Sequence, residues 1–207
     1  MQARKQGELT AIERARRAQI VRAAIDTIAE MGYARASFTA IARAAGLSST
    51  GIISYHFAGK QNLMAEVMDT ILAEFTAYVS TRSDHGTPAT RLNAFVTANC
   101  EFIQGHRNHL VTMLHLQTAT PDTETRDRQA NSDRSKLAEL LAGGQREGDF
   151  REFDPDLMAG FILSLRNGVI LRAASQPDFD LDACTAELLT TIQLATSPSP
   201  VGRSIPC

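Results

Sequence analysis

The sequence predicts an all-α fold, a small N-terminal helical domain followed by a larger helical one, on three observations. Apolar residues recur every three or four positions along nearly the whole chain, with no alternating strand pattern and no internal repeat. Cap residues and glycines interrupt that pattern at helix-sized intervals. Charge is segregated: residues 1–60 hold nine Lys and Arg against four Asp and Glu, whereas residues 61–207 carry a net charge of −7. The 207 residues, 43% hydrophobic and 21% charged, suit a globular domain plus a smaller one and exclude the disordered and collagenous classes. The longest strongly apolar run, Leu157 to Leu165, stops at Arg166, short of the roughly 20 residues that cross a bilayer, so no membrane span is expected. No apolar segment follows Arg4 and Lys5 as in a secretory signal. Three scattered cysteines, Cys100, Cys184 and Cys207, argue against a disulfide framework and for a reducing, cytoplasmic setting.

The elements follow in order. Thr10 and Glu13 have the spacing of a capping box, which starts a first helix carrying Val21, Ala24, Ile25 and Ile28 on one face and ending at Gly32. Ser37 caps a second, short helix with Phe38, Ile41, Ala42 and Ala45 inward, closed by Gly46. Ser48 caps a third, to Phe57. A longer fourth helix runs from Lys60 to near Ser80, before the loop 83–88. Leu92, Phe95, Val96, Phe102 and Ile103 mark a fifth helix, and Leu110, Met113 and Leu114 a sixth. The polar stretch from Asp122 leads into Leu137, Leu140 and Leu141 on a solvated seventh, frayed at Gly143-Gly144. Asp154-Pro155 opens an eighth through Ala174 with an N-cap and a first-turn proline. Thr185, Leu188, Leu189 and Ile192 make a ninth. The Ser- and Pro-rich tail 197–207 is expected to be disordered.

Two short helices joined at a glycine, Ser37 to Gly46 and Ser48 to Phe57, have the dimensions of a helix-turn-helix, in which the first helix braces a second that enters the major groove. A basic N-terminal part on an acidic body fits contact with a polyanion through the first part alone. The third helix offers Ser48, Ser49, Thr50, Gly51, Ser54, Tyr55 and His56, hydroxyl and ring donors suited to phosphates and base edges, and Lys60 follows as a point charge. Ser37 and Thr39 complete the candidate DNA-contacting set. Short glycine-linked helices also occur as plain helical hairpins.

These residues resemble the TetR family of transcriptional regulators. The resemblance is carried by Ser37, Ile41-Ala42, Ala45-Gly46-Leu47-Ser48, Tyr55-His56-Phe57, Lys60 and Leu63, and covers roughly Thr10 to Ile71. Two departures stand out. Ala40 replaces the acid that completes the second helix's capping box, leaving Ser37 alone to cap it. Between Ser48 and Tyr55 there is one residue more than in the commonest pattern, and because one residue rotates a helix by about 100 degrees, which side chains face bases stays open.

The resemblance implies a DNA-binding domain over residues 10–58 and a ligand-binding and dimerisation domain over 59–196. It further implies a homodimer through helices near 155–174 and 181–195. The expected function is a ligand-responsive repressor released from a palindromic operator on double-stranded DNA by a small-molecule inducer; the alternative is a helical small-molecule binder or enzyme that no longer reads DNA. Phe95, Asn99, Phe102, Met113, Gln117 and Phe161 are the candidate ligand-binding residues. Asn99 falls within an apolar stripe, where a buried amide needs partners from a ligand, neighbouring backbone or water. Gly160, Ser164 and Gly168 make a smooth face on the eighth helix, for packing within the chain or against a partner. His106, His109 and His115 lack a paired ligand pattern, so no metal is expected. With no nucleophile elbow and no phosphate-binding loop, neither catalysis nor a cofactor is expected.

Overall fold

In a computed structural model, which describes residues 10–119, 123–176 and 178–198 (side chains excepted at 123–130), the chain is helical with no strand among those residues. The helices are α1 (Ala11–Met31), α2 (Phe38–Ala44), α3 (Gly51–His56), α4 (Lys60–Ser83), α5 (Pro88–Gly105), α6 (Arg107–Ala119), α7 (Thr123–Glu147), α8 (Pro155–Ser175) and α9 (Leu181–Thr196). All but two residues of the expected tail, and Arg4 and Lys5, lie outside the described residues.

Local chemistry sets most boundaries. Thr10 and Glu13 form the expected capping box, with the Glu13 amide donating to Thr10 Oγ1 at 3.2 Å and the Thr10 amide to Glu13 Oε2 at 2.9 Å. Gly32, at φ +79°, ends α1. Ser37 caps α2 alone, accepting from the Ala40 amide at 3.2 Å. Gly46, at φ +64°, closes it, and the Leu47 amide reaches back to the Ala42 carbonyl at 2.9 Å. Asp154 Oδ1 accepts from the amides of Asp156 and Leu157 to open α8.

Three expectations are corrected. α3 starts at Gly51, not Ser48; Thr50 precedes it in helical conformation without a side-chain cap, and residues 45–50 form the turn. α4 continues to Ser83. α7 does not fray at Gly143-Gly144 but runs to Glu147 and ends before Gly148, at φ +82°. Gly144 serves close packing instead: a Cβ there would overlap the Phe150 ring and stand 2.9 Å from Pro88 Cβ.

The described chain divides into two compact units. The first holds α1, α2, α3, α4 up to Ala73, and α6 from Asn108. Its core joins Ile20, Ala24, Ile28, Ile41, Ile53, Phe57, Leu63 and Val67, with Leu116 of α6 packed in. The Thr112 hydroxyl donates to the Ile25 carbonyl at 2.8 Å, tying α6 to α1. The sequence, read as contiguous segments, holds no sign of this attachment. The second unit holds the rest of α4 with α5, α7, α8 and α9 around Leu92, Val96, Leu141, Ile162, Leu188 and Ile192.

By length and composition α8 could cross a membrane, with a mean hydropathy of 1.4 over its best 18-residue window, because Val169 to Leu171 resume the apolar run beyond Arg166. The uninterrupted run itself ends at Arg166, as expected, and the longer window includes that charge. One third of that window is buried within the chain.

Candidate nucleic-acid interface

In the first unit α3 turns Ile53 and Phe57, one helical turn apart, into the core and leaves Ser54 and Tyr55 outward. Ser37, Thr39, Ser48, Ser49 and Gly51 are exposed with them; Thr50, His56 and Lys60 are half-buried. All ten candidate residues lie in the first unit, seven exposed and three half-buried. Tyr55 is 60% exposed, its hydroxyl 3.4 Å from Glu13 Oε1 and its ring edge-on to His56 at 5.0 Å.

The cations divide into two kinds. Arg17 is a clamp: Nη1 donates to the His56 carbonyl at 2.6 Å, Nη2 to Glu66 at 2.8 Å, and the guanidinium lies 4.4 Å from the Phe57 ring centroid. It satisfies a free carbonyl at the C-terminus of α3 where a helix favours a cation. Lys60, expected as a point charge for a phosphate, donates to the Tyr33 carbonyl at 2.7 Å and sits over the Tyr33 ring at 4.2 Å; burial pulls its pKa below the usual lysine value. Two of its three N–H donors remain beyond that bond. Arg43, which sequence reasoning passed over, is exposed in the last turn of α2 with no side-chain bond among the described residues. Its placement beside the turn was the available cue.

In the second unit Asn99 is fully buried, and the expectation of partners is met within the chain. Its Nδ2 donates to the Phe95 carbonyl at 2.7 Å and its Oδ1 accepts from Arg166 Nη1 at 3.3 Å. Phe102 is buried and stacks on His106 with centroids 4.1 Å apart. Phe161 is 63% exposed: one step of about 100 degrees separates it from buried Ile162, so it lines no enclosed space within this unit. Met113 and Gln117, both half-buried, belong to the first unit. Two clefts of about 320 and 300 Å³, one between α1 and α2 and one between the end of α5 and the α8–α9 connection, contain none of the six candidate ligand residues.

A short helix that shares a core with another across a glycine turn, with its polar side in solvent and its carbonyl end clamped from α1, has the form of a helix-turn-helix, the class of fold that DNA-binding proteins use. Two family profiles match, "Bacterial regulatory proteins, tetR family" over residues 20–67 and "BetI-type transcriptional repressor, C-terminal" over residues 88–196. The HTH-type transcriptional regulator BetI of Vibrio atlanticus is 30% identical over 168 residues, covering 79% of this chain and 82% of its own. BetI 2 of Chromohalobacter salexigens is 30% identical over 182 residues, 86% of each chain. Among solved structures, a transcriptional regulator from Saccharomonospora viridis in complex with choline superposes with a TM-score of 0.79 at 20% identity, covering 90% of this chain and 100% of the other. The chain belongs to the TetR family, with a C-terminal body of the BetI-type repressor kind. It is a DNA-binding regulator of transcription. Regulators of this family bind operator DNA and small ligands and act as dimers.

Proposed function

We propose that this chain is a cytoplasmic repressor without enzymatic activity, held on a palindromic operator as a homodimer and released by a small-molecule inducer. The observation that carries the dimer is the outer face of α8. Leu157, Phe161, Ser164, Gly168 and Leu171 follow one another at alternating steps of four and three and are all exposed. A Cβ on Gly160 or Gly168 meets nothing within 4 Å, so these small residues serve no packing inside the described chain. Leu194, 78% exposed, extends the apolar surface on α9. A second copy related by a two-fold axis covers both helices at once and presents two reading heads to a two-fold symmetric site.

Ser37, Thr39, Arg43, Ser48, Tyr55 and Lys60 are assigned to the phosphate backbone, and Ser49, Thr50, Gly51, Ser54 and His56 to the groove. The effector site is assigned to the second unit around Phe95, Asn99 and Phe102. A neighbour of the same fold binds choline, and this body is assigned a small organic effector of its own. An effector acts by preferring one of two states of the protein, and operator DNA must weaken effector binding by the same factor.

Fluorescence anisotropy with the chain's own upstream DNA tests the assignment. Wild type is expected to bind, and Tyr55→Phe to weaken operator and unrelated DNA alike, as a phosphate contact does. Absence of DNA binding would leave a helical small-molecule binder. Phe161→Glu places a charge in the apolar stripe, and sedimentation at low micromolar concentration should show monomer. A wholly dimeric Phe161→Glu protein refutes the α8 interface.

A further inference from the structure

Against the apolar core of the second unit lies a half-buried guanidinium, that of Arg166, which among the described residues has no carboxylate in contact. Arg166, on α8, donates from Nη1 to Oδ1 of buried Asn99 at 3.3 Å and from Nε and Nη2 to Oδ1 of Asn167 at 3.3 and 3.0 Å. All three acceptor contacts are to neutral amides. Of the five N–H donors of a guanidinium, two remain. Among the described residues no acid lies within ion-pair distance; Asp133 acts on Arg166 from farther off, and the cost of burial outweighs that attraction, drawing its pKa below the usual arginine value.

Replacing such a group by a well-packed aliphatic side chain would remove the cost of desolvation, so its presence needs a reason other than packing. The cradle is fixed before any ligand arrives: Asn99 spends its Nδ2 on the Phe95 carbonyl, which leaves its oxygen aimed at Arg166. Asn99 is buried whereas Asn167 is exposed, so the guanidinium reaches from the interior toward the surface, where a solute can meet it. We propose that Arg166, oriented by Asn99 and Asn167, is an anion receptor that takes the carboxylate of a small apolar monocarboxylic acid. The two donors left over can meet the two oxygens of one carboxylate, and the neighbouring core residues Cys100 and Ile162 make the surroundings apolar, which favours an acid with an alkyl chain over a polar one. An organic cation is repelled by the same charge. This rests on the reading of the second unit as the effector body and names the chemistry of that site.

Calorimetric titration of the full-length protein with hexanoate and, separately, hexanamide tests it without any variant. Hexanoate should bind saturably and hexanamide at least about tenfold more weakly, the worth of one charge-assisted hydrogen bond. Arg166→Gln, with its fold checked by circular dichroism, should bind the two equally. Equal binding by wild type, no hexanoate binding at millimolar concentration, or a preference that survives in Arg166→Gln overturns the receptor. Operator anisotropy separates the two readings. Hexanoate binding that needs Arg166 but leaves operator affinity unchanged sustains the anion receptor and removes it from induction. Operator release by hexanoate that persists in Arg166→Gln overturns the receptor and leaves the regulator standing.

Discussion

The two units treat their polar groups in opposite ways. In the first, most of the groups around the reading helix are spent at home, Arg43 excepted: Thr10 with Glu13, Ser37 with Ala40, Arg17 with the His56 carbonyl and Glu66, Lys60 with the Tyr33 carbonyl. In the second, a guanidinium faces amides without an acid, and a stripe of leucine and phenylalanine faces solvent. A reading head must hold its shape before it meets DNA, because phosphate contacts position and cannot build the head. A body that pairs with a copy and answers a ligand must keep surface and charge in reserve. The three predictions that follow probe this contrast, from the largest effect to the smallest.

The body's interior fit should be the most sensitive feature. Gly144→Ala drives a methyl into the Phe150 ring and against Pro88, so α7, the start of α5 and the 148–154 connection cannot keep their places together. Overpacking of this kind costs about 3 kcal/mol, which for a chain of this size lowers Tm by about 6–12 °C. Calorimetry that finds Tm unchanged would show that Phe150 has an alternative seat. The same change at Gly143, where a Cβ meets nothing closer than Arg146 Nη2 at 3.8 Å, is the control and should leave Tm nearly unmoved.

In the head the corresponding test is Arg17→Met. The substitution keeps an unbranched stem against Phe57 but removes the bond to the His56 carbonyl and the pair with Glu66. The carbonyl bond carries most of the effect, because the Glu66 side chain is 41% exposed and its pair is screened by solvent. A destabilisation of about 1–2 kcal/mol is expected in urea titration. Operator affinity should fall with it even though Arg17 is assigned no DNA contact, since α3 loses the clamp on its carbonyl end. A variant as stable as wild type that still loses DNA binding would place Arg17 on a phosphate and dissolve the distinction between clamped and free cations.

What could be read in advance follows the range of each interaction. Both N-caps of α1 and α2, the glycine ends at Gly32 and Gly46, and the Asp154-Pro155 start of α8 lie within a few residues of their partners, and all appear where the sequence puts them. The buried state of Asn99 was legible from its place in an apolar stripe. Its partner was not: Arg166 lies 67 positions away. Arg17 meets His56 across 39 positions and Lys60 meets Tyr33 across 27, so neither bond shows in a linear reading. The late start of α3 escaped for a different reason. Ser48 has the chemistry of a cap, but the chain spends residues 45–50 on the turn through Gly46, and the helix begins only after it.

Lys60 gives the smallest expected effect and divides the two kinds of cation most finely. Its ammonium already holds the Tyr33 carbonyl, which makes it a brace for the α1–α2 turn, yet two N–H donors remain for a phosphate. The two roles have different salt signatures. If Lys60 is only a brace, Lys60→Ala lowers affinity by the same factor at every ionic strength. If it neutralises a phosphate, the variant releases one counterion fewer on binding. The second case makes the slope of log K against log salt shallower by about 0.9, which between 50 and 200 mM salt changes the wild-type-to-variant ratio by about threefold. Anisotropy at four salt concentrations resolves that difference. The proposed assignment of Lys60 to the backbone requires the shallower slope. Parallel lines would make Lys60 a brace alone, like Arg17, and would leave Arg43, exposed on α2 and without a bond among the described residues, as the cation beside the turn to test next for the phosphate contact.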